Sequence, residues 1–471
     1  MNARRTPQKK GGSNSRRGIS RRDFLATTAA AGAGFWLTSP LRAAEPASKN
    51  DELRIAIIGA GTQGMVLLEN CLKIPGVRFV AVCDIWSYSQ RYASRRLKKA
   101  YNQEVTTYED YREMLDKEKA LDAVIVATPD WMHAEHSIAC LQAGKHVYCE
   151  KEMSNSLELA KQMVLAARQT GKLLQIGHQR RSNPRYLMFK EKLLDEAKIL
   201  GQITHINGQW NRSVASTGPL GFPKAYEIDA ATLQKYGYEN MDHFRDWRWY
   251  KKYGAGPIAD LGSHQIDIFG WFLGCTPRSV LASGGIDYYK NAEWYDNVMA
   301  IYEYDTPAGV VRAFYQVLST TSSRSYYEVF MGVDGTLQIS EDSHKCRLYA
   351  EGHLKKDKIG DHPWKPWVDK KYIVQFEDPA AEKPKETKSE MDAILEIYGP
   401  SPKPTQFLLT LTKDPPYHRP HLENFFDAIR RGTPLNCPPE VAYETAVTVL
   451  TVNDAVAAGK RIDFKPEEFK V

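Results

Sequence analysis

The segment Leu53–Lys73 joins an apolar run, LRIAIIG, to a glycine-spaced turn, Gly59-Ala60-Gly61-Thr62-Gln63-Gly64, and then to a helix-patterned stretch, TQGMVLLENCLK. A short apolar run that does not alternate reads as a strand covered on both faces, which demands helices above and below a parallel sheet. In such a turn Gly59 permits the tight bend and Gly61 lets a pyrophosphate approach the backbone. Gly64 lets the helix close onto the strand, and the helix N-terminus, at Thr62 and Gln63, faces the phosphates. The alternation continues, with strands at 77–84, 122–129, 146–151 and 173–177 and helices at 88–101, 109–117, 131–143 and 156–170. It predicts an α/β, doubly wound nucleotide-binding domain over 52–177.

Asp84 closes the second strand, 20 residues after Gly64. A carboxylate there accepts hydrogen bonds from a ribose 2′-hydroxyl and repels a 2′-phosphate, which favours NAD over NADP. From about 202 the pattern changes to period-two strands around a helix at 260–273. The remainder, 178–471, is expected to be an α+β domain with an open, mostly antiparallel sheet. Two long polar segments, 213–243 and 351–417, read as insertions of the lid, arm or disordered kind.

The first 44 residues stand apart. They carry nine Lys/Arg and one acid, Asp23, so their +8 more than accounts for the chain's net +6 and leaves the rest at −2. The basic balance is therefore no argument for nucleic-acid binding. Charge first, then a mildly apolar run Phe24–Leu37, then Ala43 and Ala44 follow the plan of a signal peptide. The paired arginines of Ser20-Arg21-Arg22-Asp23-Phe24-Leu25 mark the twin-arginine (Tat) type, so the expected partner is the Tat translocase and the destination periplasmic or secreted. The run Phe24–Leu37 spans only 14 residues and the rest of the chain has no apolar run of 18, so no stable membrane insertion is expected. The seven Cys show no C-x-x-C pair, so no metal site is expected.

Two further stretches carry chemistry: ATPDWMHAEHSIACLQAGKHVYCEKEMS (127–154) and GAGPIADLGSHQIDIFGWFLG (254–274). With the glycine motif they make the chain resemble the Gfo/Idh/MocA family of sugar and polyol oxidoreductases, from residue 53 to about 340 and again over 418–455. The resemblance implies that Thr128 and Pro129 line the nicotinamide side, with His133 and Glu150 counted in the cofactor set. It implies that Lys151, in Glu150-Lys151-Glu152, is the catalytic lysine of a Glu-Lys-Pro motif whose proline is here Glu152. It also implies a catalytic pair, Asp260 and His264. Their i, i+4 spacing would stack both on one helical face, with the carboxylate holding the imidazole. A homodimer or tetramer built on the sheet is the family expectation.

Oxidising a secondary alcohol removes a hydride from carbon and a proton from oxygen. A histidine suits the proton, a lysine the developing alkoxide, and the roles of His264 and Lys151 can exchange. Substrate contacts are expected from His178, Gln179, Arg180 and Arg181 and from Trp247 and Arg248, though an interdomain ion-pair cluster or core packing explains the same residues. The expected substrate is a sugar, polyol or sugar derivative. Two alternatives stay open: hydrolysis or epimerisation through transient oxidation, and non-catalytic sugar or nucleotide binding. A Tat-exported chain folds before it crosses and meets no free NAD pool outside, so the dinucleotide is expected to be held tightly and recycled in place.

Overall fold

The computed structural model describes residues 52–354, 362–376, 404–411, 413–414 and 416–471. The leader 1–44 lies outside the described residues, as does much of 351–417.

Six parallel strands form the first sheet: β1 (Leu53–Ile58), β2 (Val77–Cys83), β3 (Thr106–Tyr108), β4 (Ala123–Val126), β5 (His146–Cys149) and β6 (Leu174–Ile176). Their order, β3-β2-β1-β4-β5-β6, is the doubly wound arrangement, with its switch point between β1 and β4. Every residue of β4 and β6 is buried, as unalternating apolar strands require. The edge strand β3 escaped the sequence reading because TTY has only three residues and one buried side chain.

The second sheet has ten strands. The additional ones are β7 (Ile203–Asn211), β8 (Ser279–Gly285), β9 (Asn297–Thr306), β10 (Gly309–Leu318), β11 (Tyr326–Gly332), β12 (Gly335–Ile339), β13 (Arg347–Ala350), β14 (Ile373–Gln375), β15 (Thr405–Leu409) and β16 (Ile462–Asp463). They lie in the order β14-β15-β13-β12-β11-β7-β10-β9-β8-β16. Only β7 and β10 pair in parallel; the other pairings are antiparallel. The described part of 351–417 is thus not only loop, because β14 and β15 extend the sheet from β13 through buried Ile373, Phe407 and Leu409.

The predicted helix 260–273 is two elements. A π-helical turn, Ile258–Gly262, runs into the α-helix Ser263–Leu273. Late sequence returns to the first half. The helix Arg419–Arg431 sets Leu422, Phe425 and Phe426 in one core with Ile55, Leu67 and Phe79. The carbonyl of Ile176, at the end of β6, lies 2.9 Å from His421 Nε2.

The segment 213–243 is built rather than loose. It holds the short helices Val214–Thr217, Ala230–Lys235 and Met241–Arg245. Asp229 and Asn240 cap the latter two by accepting from Thr232 N and His243 N at 2.9 Å each. Ile228, Leu233, Tyr238 and Met241 form a small core with Trp86, Trp247 and Tyr253. The Trp86 indole donates to the Tyr226 carbonyl at 2.6 Å, and Arg245 lies 4.8 Å over its ring. Lys235 and Tyr236 donate to Glu109 on the first half at 3.1 and 2.9 Å. Among the described residues no helix is long and apolar enough to cross a membrane.

Candidate active site

One cavity of about 990 Å³ runs from the glycine turn past Asp84 to Lys151, Asp260 and His264. It lies at the carboxyl ends of β1, β2, β4 and β5, where open parallel sheets bind ligands.

The glycine turn fits a dinucleotide. Gly59 has φ +87°, and a Cβ on it would stand 2.7 Å from the Ala127 main chain. A Cβ on Gly64 would overlap the Gly59 carbonyl at 2.0 Å, so the helix Thr62–Cys71 seats on β1 only with glycine there. A Cβ on Gly61 would meet nothing within 4 Å, which leaves open space beside the helix N-terminus where a pyrophosphate would lie. Asp84 Oδ2 accepts from Ala60 N at 2.7 Å and Oδ1 from Trp86 N at 2.8 Å. These bonds aim the carboxylate into the cavity, and burial there pushes its pKa up to about 6. Thr62 and Gln63 line the same wall. Gln63 Nε2 donates to Glu150 Oε1 at 3.1 Å and lies 3.4 Å from His418 Nε2. His133 ties two site loops, with ring nitrogens 2.7 Å from the carbonyl oxygens of Thr128 and Glu152. Thr128, Pro129, His133, Glu150 and Lys151 all line the cavity, whereas Gly64 stays behind it.

The reacting end is organised around Asp260. Its Oδ1 lies 3.0 Å from Arg248 Nε and 3.6 Å from Lys151 Nζ, which also donates to the Asp260 carbonyl. These cations hold the Asp260 pKa well below the carboxylate range against its burial. The expected Asp260–His264 hydrogen bond is absent among the described residues. The π turn breaks the i, i+4 stacking, and two cations compete for the carboxylate better than a neutral ring does. His264 instead lies against Trp210, centroids 5.3 Å apart, and its Nδ1 has no partner. Burial first, then the charge of Lys151, lowers its pKa well below the usual histidine value, so the ring is neutral at pH 7.

The four residues 178–181 divide. Gln179 reaches the cavity and donates to Glu341 at 3.2 Å. Arg180 does not line it: it is 1 % exposed and paired with Glu328 and Glu341. Arg181 forks onto Asp267 at 2.7 and 2.9 Å. His178 is buried behind the cavity. These arginines neutralise interior carboxylates and so are not available to a substrate. Trp247 and Arg248 do line the cavity, as expected.

The cavity residues that the sequence reading missed include Asp130, Trp210 and Arg212. Asp130 opens the helix Asp130–Gln142, directly after Thr128-Pro129, and burial pushes its pKa up to about 7. Trp210 and Arg212 stand at and just beyond the end of β7, two apart and so on one face of the strand direction, a signal present in the period-two pattern of that strand. Trp210 stacks on Tyr326 at 4.7 Å and 27°. Among the described residues no group of metal-ligating side chains occurs.

Comparison with known proteins agrees with this geometry. Residues 53–178 match the model of the oxidoreductase family with an NAD-binding Rossmann fold, and residues 192–338 match the GFO/IDH/MocA C-terminal domain. The chain is 25% identical over 285 residues to 1,5-anhydro-D-fructose reductase of Ensifer adhaerens, covering 60% of this chain and 74% of that protein. It is 29% identical over 229 residues to D-glucoside 3-dehydrogenase of Escherichia coli (strain K12), covering 48% and 56%. The chain spans about half the length of several curated relatives that it matches. A solved structure of levoglucosan dehydrogenase in complex with NADH shares the fold, with TM-score 0.62 and 16% identity over 88% of this chain and 99% of that one. With family models matched across both its sheets, the chain belongs to the GFO/IDH/MocA oxidoreductases, with an NAD-binding Rossmann fold.

Proposed function

We propose that this chain is an exported oxidoreductase that holds NAD(H) tightly and oxidises or reduces a hydroxyl of a sugar, polyol or sugar derivative. The observation that carries the reading is the single cavity that joins the Gly59–Gly61 turn to Lys151, Asp260 and His264. When bound, the nicotinamide supplies hydride acceptance or return. The protein's part is positional and protonic. Lys151, aimed by the Asp260 carbonyl and carboxylate, donates to the substrate hydroxyl oxygen and stabilises the alkoxide as it forms. Neutral His264 takes the hydroxyl proton while the carbinol C–H leaves as hydride, so a carbonyl forms and charge balances. Trp210 and Tyr326, stacked on one another, form an aromatic wall beside the space for a sugar ring.

Retention of the dinucleotide is supported by the 213–243 segment, which closes over the ribose side of the cavity at Trp86. Export is supported by the arginine pair and apolar run of Ser20–Leu37. A homo-oligomer is supported by the open sheet face, where Leu281 and its cross-strand neighbour Ile301, with nearby Met299, are exposed. The test is the purified protein's bound dinucleotide after extensive dialysis, followed by a panel of sugars. Stoichiometric NAD(H), with reduction by one class of sugar that is lost in Lys151→Ala, is the expected result. A protein that binds no dinucleotide at any concentration overturns the reading.

A further inference from the structure

The cations at the reacting end are not alike. Lys151 and Arg248 both converge on Asp260. Arg212 also lines the cavity, and its charge reaches the Asp260 carboxylate, yet no carboxylate bonds to it among the described residues. Its guanidinium lies 5.3 Å over the Trp210 ring, at the aromatic floor of the cavity. The nearby acids are already engaged. Glu341 is held by Arg180 and Gln179, and Glu150 accepts from Gln63. Asp130, buried beside Lys151, has its pKa raised to about 7 and so supplies at most a partial charge near neutral pH. Lys151, Arg248 and Arg212 therefore converge on Asp260, and of the three Arg212 alone has no bond to a carboxylate side chain among the described residues.

A neutral sugar entering this space would leave Arg212 with its water stripped and no counter-ion, at a cost that an anion removes. The dinucleotide phosphates have their own cradle at the Gly59–Gly61 turn after β1, whereas Arg212 follows β7 and sits over Trp210, near Asp260. A planar guanidinium fixed over an indole suits bidentate anionic oxygens better than single hydroxyls.

We propose that Arg212 is a specificity-determining residue that selects a sugar bearing an anionic oxygen group, a sugar carboxylate in the first instance, over the neutral sugar. The inference deepens the oxidoreductase reading and rests on it for the reaction, but not for the binding.

The test uses holoenzyme with its dinucleotide bound and three sugars that share one ring: the neutral hexose, its uronic acid and its terminal phosphate. Binding is measured by calorimetry and reduction by the absorbance of the reduced nicotinamide. The expected result is a preference of roughly tenfold or more for an anionic member over the neutral one. The uronic acid being the preferred anion assigns a carboxylate, and the phosphate being preferred assigns a sugar phosphate. In Arg212→Met the preference disappears through KM, while Arg212→Lys keeps part of it and bound dinucleotide stays stoichiometric in both. Equal or better use of the neutral hexose by the unaltered protein overturns the inference, as does a preference that survives Arg212→Met or a variant that loses its dinucleotide. Arg212-dependent binding of the acid without any reduction supports the inference and refutes the oxidoreductase reading instead.

Discussion

Arg248 Nε stands 3.0 Å from Asp260 Oδ1, the same oxygen that Lys151 Nζ faces at 3.6 Å. One carboxylate thus positions two cations that both line the substrate cavity. Asp260→Asn keeps the volume and removes the charge, so Lys151 loses its orientation. The expected outcome in steady-state kinetics is a fall in kcat of about a hundredfold with bound dinucleotide unchanged.

The Asp84 carboxyl, with its pKa pushed up to about 6 by burial, gives dinucleotide affinity a pH dependence. A ribose hydroxyl bound there would donate to the ionised form, so protonation would compete with binding. On protein stripped of dinucleotide, calorimetry should show affinity level above about pH 7 and falling as pH drops, approaching tenfold per unit once pH is below about 6. Asp84→Asn should bind more weakly and lack the slope.

Glu152 replaces the family proline in the interior, 0 % exposed, with Oε2 unpartnered and a pKa raised to about 8 by burial. An unfolded Glu titrates near about 4.3. Between that value and 8 the unfolded chain has released a proton that the folded one keeps, so this group lowers stability as pH rises through the window. Glu152→Gln should match the unaltered protein near about pH 4 and melt a few degrees higher near about pH 8, read by thermal unfolding with dinucleotide saturating.

Trp86 fastens the 213–243 segment over the cavity, through its indole bond to Tyr226 and the cation of Arg245 above it. Trp86→Ala should speed dinucleotide dissociation by roughly tenfold or more, measured by competition with a fluorescent analogue. The catalytic step, which uses none of these groups, should change little.

The fold was legible where its physics is local. The glycine turn, Asp84 and the unalternating strands each announce the first sheet through their own neighbours. The Lys151, Asp260 and His264 set was legible only through resemblance, since a lysine after a strand and an Asp-x-x-x-His are individually commonplace. Arg180 and Arg181 show the limit. Two adjacent arginines after the last strand look like ligand donors, and nothing local reveals that Glu328, Glu341 and Asp267 wait for them from 86 to 161 residues away. The π turn at Ile258–Gly262 was equally invisible, because the apolar pattern of IADLG reads as an ordinary helix start. Arg212 was within reach, one step past Trp210 in the strand alternation.

The core that joins Phe425 and Phe426 to Ile55 and Leu67 fixes an order of events during synthesis. The nucleotide pocket is encoded first but finished late: His421 meets the Ile176 carbonyl across 245 residues of intervening chain. A nascent chain stopped after its sixth strand lacks the cover that Leu422, Phe425 and Phe426 give this core, and the contacts that supply it are long-range and slow to form. A pocket lined in part by His418 is therefore incomplete until the late helix has been made. A gene fragment ending near residue 178 encodes the matched family segment but not a self-sufficient body.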